Sequence, residues 1–205
     1  MIRIPPWLRE SLTVGVCFGI VFVGGNTITG LHGLRVPLHF PWELNLPFRP
    51  EAAPIYLSIS PVMTLVAFSL RKDPAALVRL RRVFVAEILV AGAFFLLLPA
   101  ELATGFARSA PAPWTAWGEA CAVVGLRYNL FPSLHVAFAV STAWNATRKA
   151  RPWLLLWAGL VAAATLLLHL HHVLDVLGGV LLAWIVENRI RSFPPCPPPN
   201  PSQPA

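Results

Sequence analysis

Two short stretches carry residue types that do chemistry. One reads Tyr128-Asn129-Leu130-Phe131-Pro132-Ser133-Leu134-His135, and the other reads His169-Leu170-His171-His172-Val173-Leu174-Asp175, followed by Gly178-Gly179. His171 and Asp175 are four apart, so on a helix they share a face, and the carboxylate can accept the Nδ1 hydrogen of the imidazole. That leaves Nε2 unprotonated and aimed away from Asp175, ready to attack. Pro132 suits a first helical position, where its missing N–H costs nothing. The N–H groups of Ser133, Leu134 and His135 then open a helix and form an anion site, helped by the helix dipole. One helix start offers a base or nucleophile. The other offers a second histidine beside a phosphate cradle.

The elements that must position these residues read as membrane helices. Of 205 residues 56% are hydrophobic and 12% charged, where a soluble domain averages about a quarter charged. The charges cluster in short connectors between long uncharged runs, as in a chain solvated by lipid. The net charge of +7 does not point to nucleic acid, because the basic residues lie between apolar runs and form no face with interleaved aromatics. Hydropathy predicts an all-α fold, a polytopic bundle of six transmembrane helices: Ser11 to Gly30, Ala52 to Leu70, Val83 to Ala100, Pro132 to Thr147, Pro152 to Leu168, and His171 or His172 to Val186. The fourth and sixth are short and polar at their starts, which suits helices that begin at a water-filled cavity. Ser11 to Gly30 is read as a helix rather than a signal peptide, being too long for an h-region and lacking a small-x-small cleavage site. One membrane domain, 1–192, precedes a proline-rich tail, 193–205, expected to be disordered.

Orientation follows from Lys and Arg. Arg3, Arg9, Arg71, Lys72, Arg79, Arg81, Arg82, Arg148, Lys149, Arg151, Arg189 and Arg191 fall on one side; Arg35, Arg49, Arg108 and Arg127 fall on the other. The richer side is expected in the cytoplasm, with both termini. The connectors Leu31 to Glu51 and Glu101 to Phe131 then face outward. By parity the fourth and sixth helices both begin at that outer face, so the two motifs lie together.

These residues resemble the type-2 phosphatidic acid phosphatase superfamily. Pro132-Ser133-Leu134-His135 matches the second family motif, Pro-Ser-x-His, in full. The third motif is Ser-Arg, five residues, His, three residues, Asp; His171 and Asp175 match it, with Ala164-Thr165 where Ser-Arg would stand. Thr165 is similar instead to the branch containing fungal inositol phosphorylceramide synthase. The first motif, Lys, six residues, Arg-Pro, is not present as written; Arg108 near Pro111 takes its place, and seven residues earlier stands Glu101. The resemblance implies a phosphatase or phosphotransferase acting on a lipid phosphate at the outer face, without metal or cofactor. It implies that His171 attacks phosphorus to form a phosphohistidine, Asp175 orients and charge-stabilises its ring, and His135 protonates the leaving alcohol. Ser133, Leu134 and Asn129, with Arg127 and Arg108 as substitute cations, form the expected substrate-binding set. The expected location is a bacterial inner membrane, and the expected partners are the lipid substrate and membrane lipids. A non-enzymatic transporter or lipid-binding scaffold is the alternative; it has no need of His135 and His171 together.

The remaining polar residues have plainer readings. His172 is expected to pack or hydrogen-bond, and His169 to end a helix at the interface. Adjacent helical residues point about 100° apart, so His169, His171, His172 and Asp175 do not converge on a metal. Tyr56, Trp114, Trp117 and Trp184 read as interface or packing aromatics. Glu87 is expected to snorkel to the cytoplasmic surface or bridge to an arginine there. Cys17, Cys121 and Cys196 form no framework.

Overall fold

The computed structural model describes residues 4–103 and 114–192. Among them the chain is nearly all helical. Helix α1 runs Pro6–Gly30 and α2 Pro50–Ser69, both long and apolar enough to cross a membrane. Helix α3 is Pro74–Leu97, α4 Trp114–Gly125, α5 Leu134–Asn145, α6 Arg151–Leu167 and α7 Val173–Ser192. Two short strands, β1 at Val36–Pro37 and β2 at Ala100–Glu101, pair in parallel and join the connector after α1 to the one after α3.

The structure departs from the sequence reading at three places. Helix α3 starts at Pro74, well before Val83, because Asp73 caps it by accepting from Ala76 N at 2.9 Å and Pro74 fills the first position. Arg79, Arg81 and Arg82 therefore ride on the helix. Arg79 donates to Asn145 and Arg81 pairs with Glu10 at 3.2 Å. Helix α4 falls inside the Glu101 to Phe131 connector, to which the sequence reading gave no helix; its 12 residues rise only ~18 Å, short of the ~30 Å hydrocarbon core. Glu87 neither snorkels nor meets an arginine: it is 0% exposed and accepts from the Ser141 hydroxyl.

Helix α5 is the axis of the bundle. Every residue of it except Trp144 is buried, and it packs on α2, α3, α6 and α7. The outward pattern is apolar: Val16 and Ile20 on α1, Trp153 and Leu156 on α6, and Leu177 and Trp184 on α7 are all exposed. The inward pattern is partly polar. Ser141, Thr142 and Asn145 are buried, and the Asn145 amide donates to Glu187. A chain solvated by lipid has this arrangement, because apolar side chains meet hydrocarbon and polar ones find each other.

Helix α1 carries a π-helical turn at Gly19–Val23. The Asn129 amide donates to the Phe22 carbonyl within that turn. A π turn displaces carbonyls from the regular ladder, and Asn129 uses one of them to staple the loop before α5 to α1.

Candidate functional site

The chain leaves α6 through a Schellman motif. His169 adopts φ 51°, its N–H reaches Leu166 O at 3.0 Å, and Leu170 N reaches Thr165 O at 3.0 Å. Glycine is usual at that left-handed position. Here the histidine is held by its ring, with Nε2 3.0 Å from Leu46 O and Phe48 against its face. This sharp reversal leaves His171 in the turn between α6 and α7, where its N–H points at Thr165 O at 3.3 Å.

His171 therefore precedes the helix that carries Asp175, rather than opening it. The two still meet: His171 Nδ1 lies 3.4 Å from Asp175 Oδ2, with exposures of 4% and 0%. Asp175 stands at the third position of α7, and its Oδ2 accepts from the backbone N–H of His172 at 2.8 Å. This is half of a capping box. One carboxylate oxygen thus fixes the helix start and faces the imidazole.

The second motif arrives from α5. Pro132 precedes the helix rather than taking its first position; Ser133 occupies the N-cap, with its hydroxyl accepting from Val136 N. The Phe131–Pro132 bond is cis. The expected triplet of anion-binding N–H groups is reduced, because Ser133 N donates to Asp175 O at 3.0 Å. Leu134 and His135 supply the remaining first-turn donors. Gly179 makes this junction possible: a Cβ there would lie 2.4 Å from Ser133 O. Only hydrogen at that position lets α5 and α7 touch backbone to backbone.

His135, 7% exposed, places its ring centroid 6.0 Å from that of His171. Its other neighbour is Tyr56 of α2, stacked at 4.4 Å between centroids and 23° between planes. Tyr56 is 0% exposed, so it is no interface aromatic. Within a hydrophobic segment nothing marks a tyrosine as a ring partner for a distant histidine.

Arg127 is exposed; its backbone N–H and that of Tyr128 donate to Asn26 Oδ1, and its guanidinium sits 5.7 Å from the Tyr128 ring. None of these contacts joins it to the histidines. The Asn129 amide is committed to Phe22. Arg108 lies outside the described residues, as does the tail 193–205.

Glu43 is the participant that sequence reasoning overlooked. It sits in a 3₁₀ turn, Pro41–Asn45, of the first outward connector, and its Oε2 meets His172 Nδ1 at 3.2 Å and accepts from Val173 N at 3.0 Å. No periodic or motif signal marks it.

Two histidines and an aspartate on facing helix starts, joined by one backbone hydrogen bond, agree with what a comparison of sequences finds. The sequence model of the PAP2 superfamily matches residues 51–187. The chain belongs to the PAP2 superfamily. The match takes in both motifs and all of α3, α5 and α6. Membership points to phosphatase or phosphotransferase activity. Neither the curated proteins nor the solved structures offer a match to the chain.

Proposed function

We propose that this PAP2 member is an integral membrane enzyme that transfers the phosphoryl group of a lipid phosphate through a phosphohistidine at the outer face of the membrane. The observation that carries the reading is the approach of His171, Asp175 and His135: 3.4 Å from imidazole to carboxylate, and 6.0 Å between rings. In this reading α1, α2, α3, α5, α6 and α7 cross the membrane, both termini are cytoplasmic, and the 31–49 and 98–133 connectors face outward.

Asp175 on Nδ1 leaves Nε2 of His171 on the far side of its ring. Nε2 attacks phosphorus; the N–P bond forms as the bond from phosphorus to the lipid oxygen breaks. That oxygen leaves with a proton from His135. Water, or a second alcohol, then gives its proton to His135 and attacks phosphorus, releasing His171. The first-turn donors at Leu134 and His135 face the developing charge at a helix start.

A cavity of about 250 Å³ supports the lipid part of the reading. His135 lines it, and its walls are mostly apolar, with Val14 and Phe18 of α1, Met63 of α2, Phe84 of α3 and Phe138 of α5; the paired Glu10 and Arg81 line it too. From Ile59 to Ala67 it follows α2 for ~12 Å. An alcohol that leaves toward His135 enters this cavity with its hydrocarbon chain, which suits an alkyl lipid. The test is purified protein in detergent, presented with several lipid phosphates, with free phosphate and new phospholipid products both quantified. Absence of both products across the panel, from folded protein, would remove the proposal.

A further inference from the structure

The first outward connector runs antiparallel along the catalytic turn and meets it at three levels. Arg49 N donates to Leu167 O at 2.9 Å, Leu46 O faces His169 Nε2 at 3.0 Å, and Glu43 Oε2 holds His172 Nδ1 and Val173 N. The numbers fall on one segment as they rise on the other. Residues 43–49 thus brace residues 167–173.

The Glu43 level differs in kind from the other two. Glu43 is 1% exposed, and a carboxylate so far from water is costly unless hydrogen-bonded on all sides. It is: Phe40 N donates to Oε1 at 2.9 Å, while Oε2 takes His172 and Val173. The ring tautomer follows from geometry. Ala103 N donates to His172 Nε2 at 3.1 Å, so the ring proton is on Nδ1 and is given to Glu43. The same residue gives its backbone N–H to Asp175. Two carboxylates therefore hold His172, Asp175 by the backbone and Glu43 by the ring. The other side of the connector turns Phe40, Trp42 and Leu44 outward, exposed. Those side chains do not fasten it to the turn.

We propose that Glu43 is a positioning residue for the reaction. Through His172 and the first N–H of α7 it fixes the helix start on which Asp175 sits, and so the angle at which Asp175 meets His171. The identity of the reaction rests on the function proposed above; the mechanical link from Glu43 to His171 does not.

The test compares the full chain with Glu43→Ala and Glu43→Gln in detergent, each checked for helix content. Two readouts are taken: kcat and KM on an aryl phosphate, and ring ¹⁵N shifts of His171 and His172, assigned by single substitutions. Glu43→Ala is expected to lower kcat on the order of 10²-fold, the scale for a displaced reacting group, with KM little changed. Its spectrum should show both rings moved, His172 losing its Nδ1-protonated signature and His171 shifting with it. Glu43→Gln keeps an oxygen for a backbone N–H and should recover part of kcat. It is also the informative variant if Glu43→Ala does not fold. Wild-type kcat in Glu43→Ala, or a His172 shift that leaves His171 unmoved, would overturn the proposal. Should the wild-type chain turn over no phosphate while both rings still move, the proposed reaction fails and the positioning link stands.

Discussion

The backbone N–H of Ser133 donates to the carbonyl of Asp175 at 3.0 Å, and Gly179 lies against the same joint. That hydrogen bond joins the two helix starts that carry the candidate site. Gly179→Ala would place a methyl 2.4 Å from the Ser133 carbonyl oxygen and 3.3 Å from Ala137 N, both backbone atoms. The helices must part, at a cost of about 1–3 kcal/mol, with loss of turnover. Gly159→Ala has nothing within 4 Å of its new methyl and is the control. Thermal unfolding in detergent and turnover of both variants decide it. Equal behaviour of the two would show that the joint is not tight.

The two histidines should fail differently when removed. His171→Ala forms no phosphoenzyme and is expected to be inactive with every substrate. His135→Ala should lose most with an alkyl phosphate and less with an activated aryl phosphate, whose leaving oxygen needs little protonation. General acid catalysis sets the gap at about 10²–10⁴-fold. Asp175→Asn should fall between, since the ring remains but its orientation suffers. Turnover of each variant on both substrates is the measurement. An aryl-phosphate activity surviving in His171→Ala would reverse the assignment.

The cavity beside His135 predicts a chain-length effect. Gly15 lines it, and a Cβ there would meet nothing within 4 Å. Gly15→Phe should therefore fold normally and obstruct the cavity. KM for a long-chain lipid phosphate is expected to rise about tenfold, equivalent to ~1.4 kcal/mol of lost contact, while a short aryl phosphate is unaffected. Parallel rises for both substrates would place the alkyl chain elsewhere.

Orientation is tested by labelling. In a background without cysteines, Leu31→Cys and Leu44→Cys carry exposed positions of the first connector, and Lys72→Cys an exposed position of the turn between α2 and α3. An impermeant thiol reagent on intact cells should label the first two and spare the third. The opposite pattern would invert the topology and put the site in the cytoplasm.

Chelation should leave turnover unchanged. Among the described residues no group of three or more histidine, cysteine or acidic side chains could hold a metal ion. The proposed chemistry uses the imidazoles and helix N–H groups alone. A rate abolished by chelator and restored by magnesium would require a different mechanism.

Much of the site was legible because its signals are local. The i,i+4 spacing of His171 and Asp175 brought them within 3.4 Å even though the helix begins after His171, since a capping turn keeps nearly the same spacing. Pro-Ser-x-His announced a helix start, which falls two residues later than read, at Leu134 with Ser133 as its cap. Apolar run lengths located the long helices, because burial of hydrocarbon is additive along a run. They misjudged the start of α3, where arginines hid a cap at Asp73.

Tertiary structure alone decided the rest. Glu43 meets His172 across 129 residues of sequence, and Tyr56 reaches His135 from another helix. Arg79 and Asn145 join across 66. A buried polar group must find a partner, but its identity depends on which loop folds over which turn. The same logic took Ser133 N from the anion site and gave it to Asp175 O. Composition and spacing determined that two histidine-bearing helix starts exist, though not which residues head them. Only packing, through a glycine that lets two backbones touch and a loop that lays a carboxylate on the turn, decided how they are held at working distance.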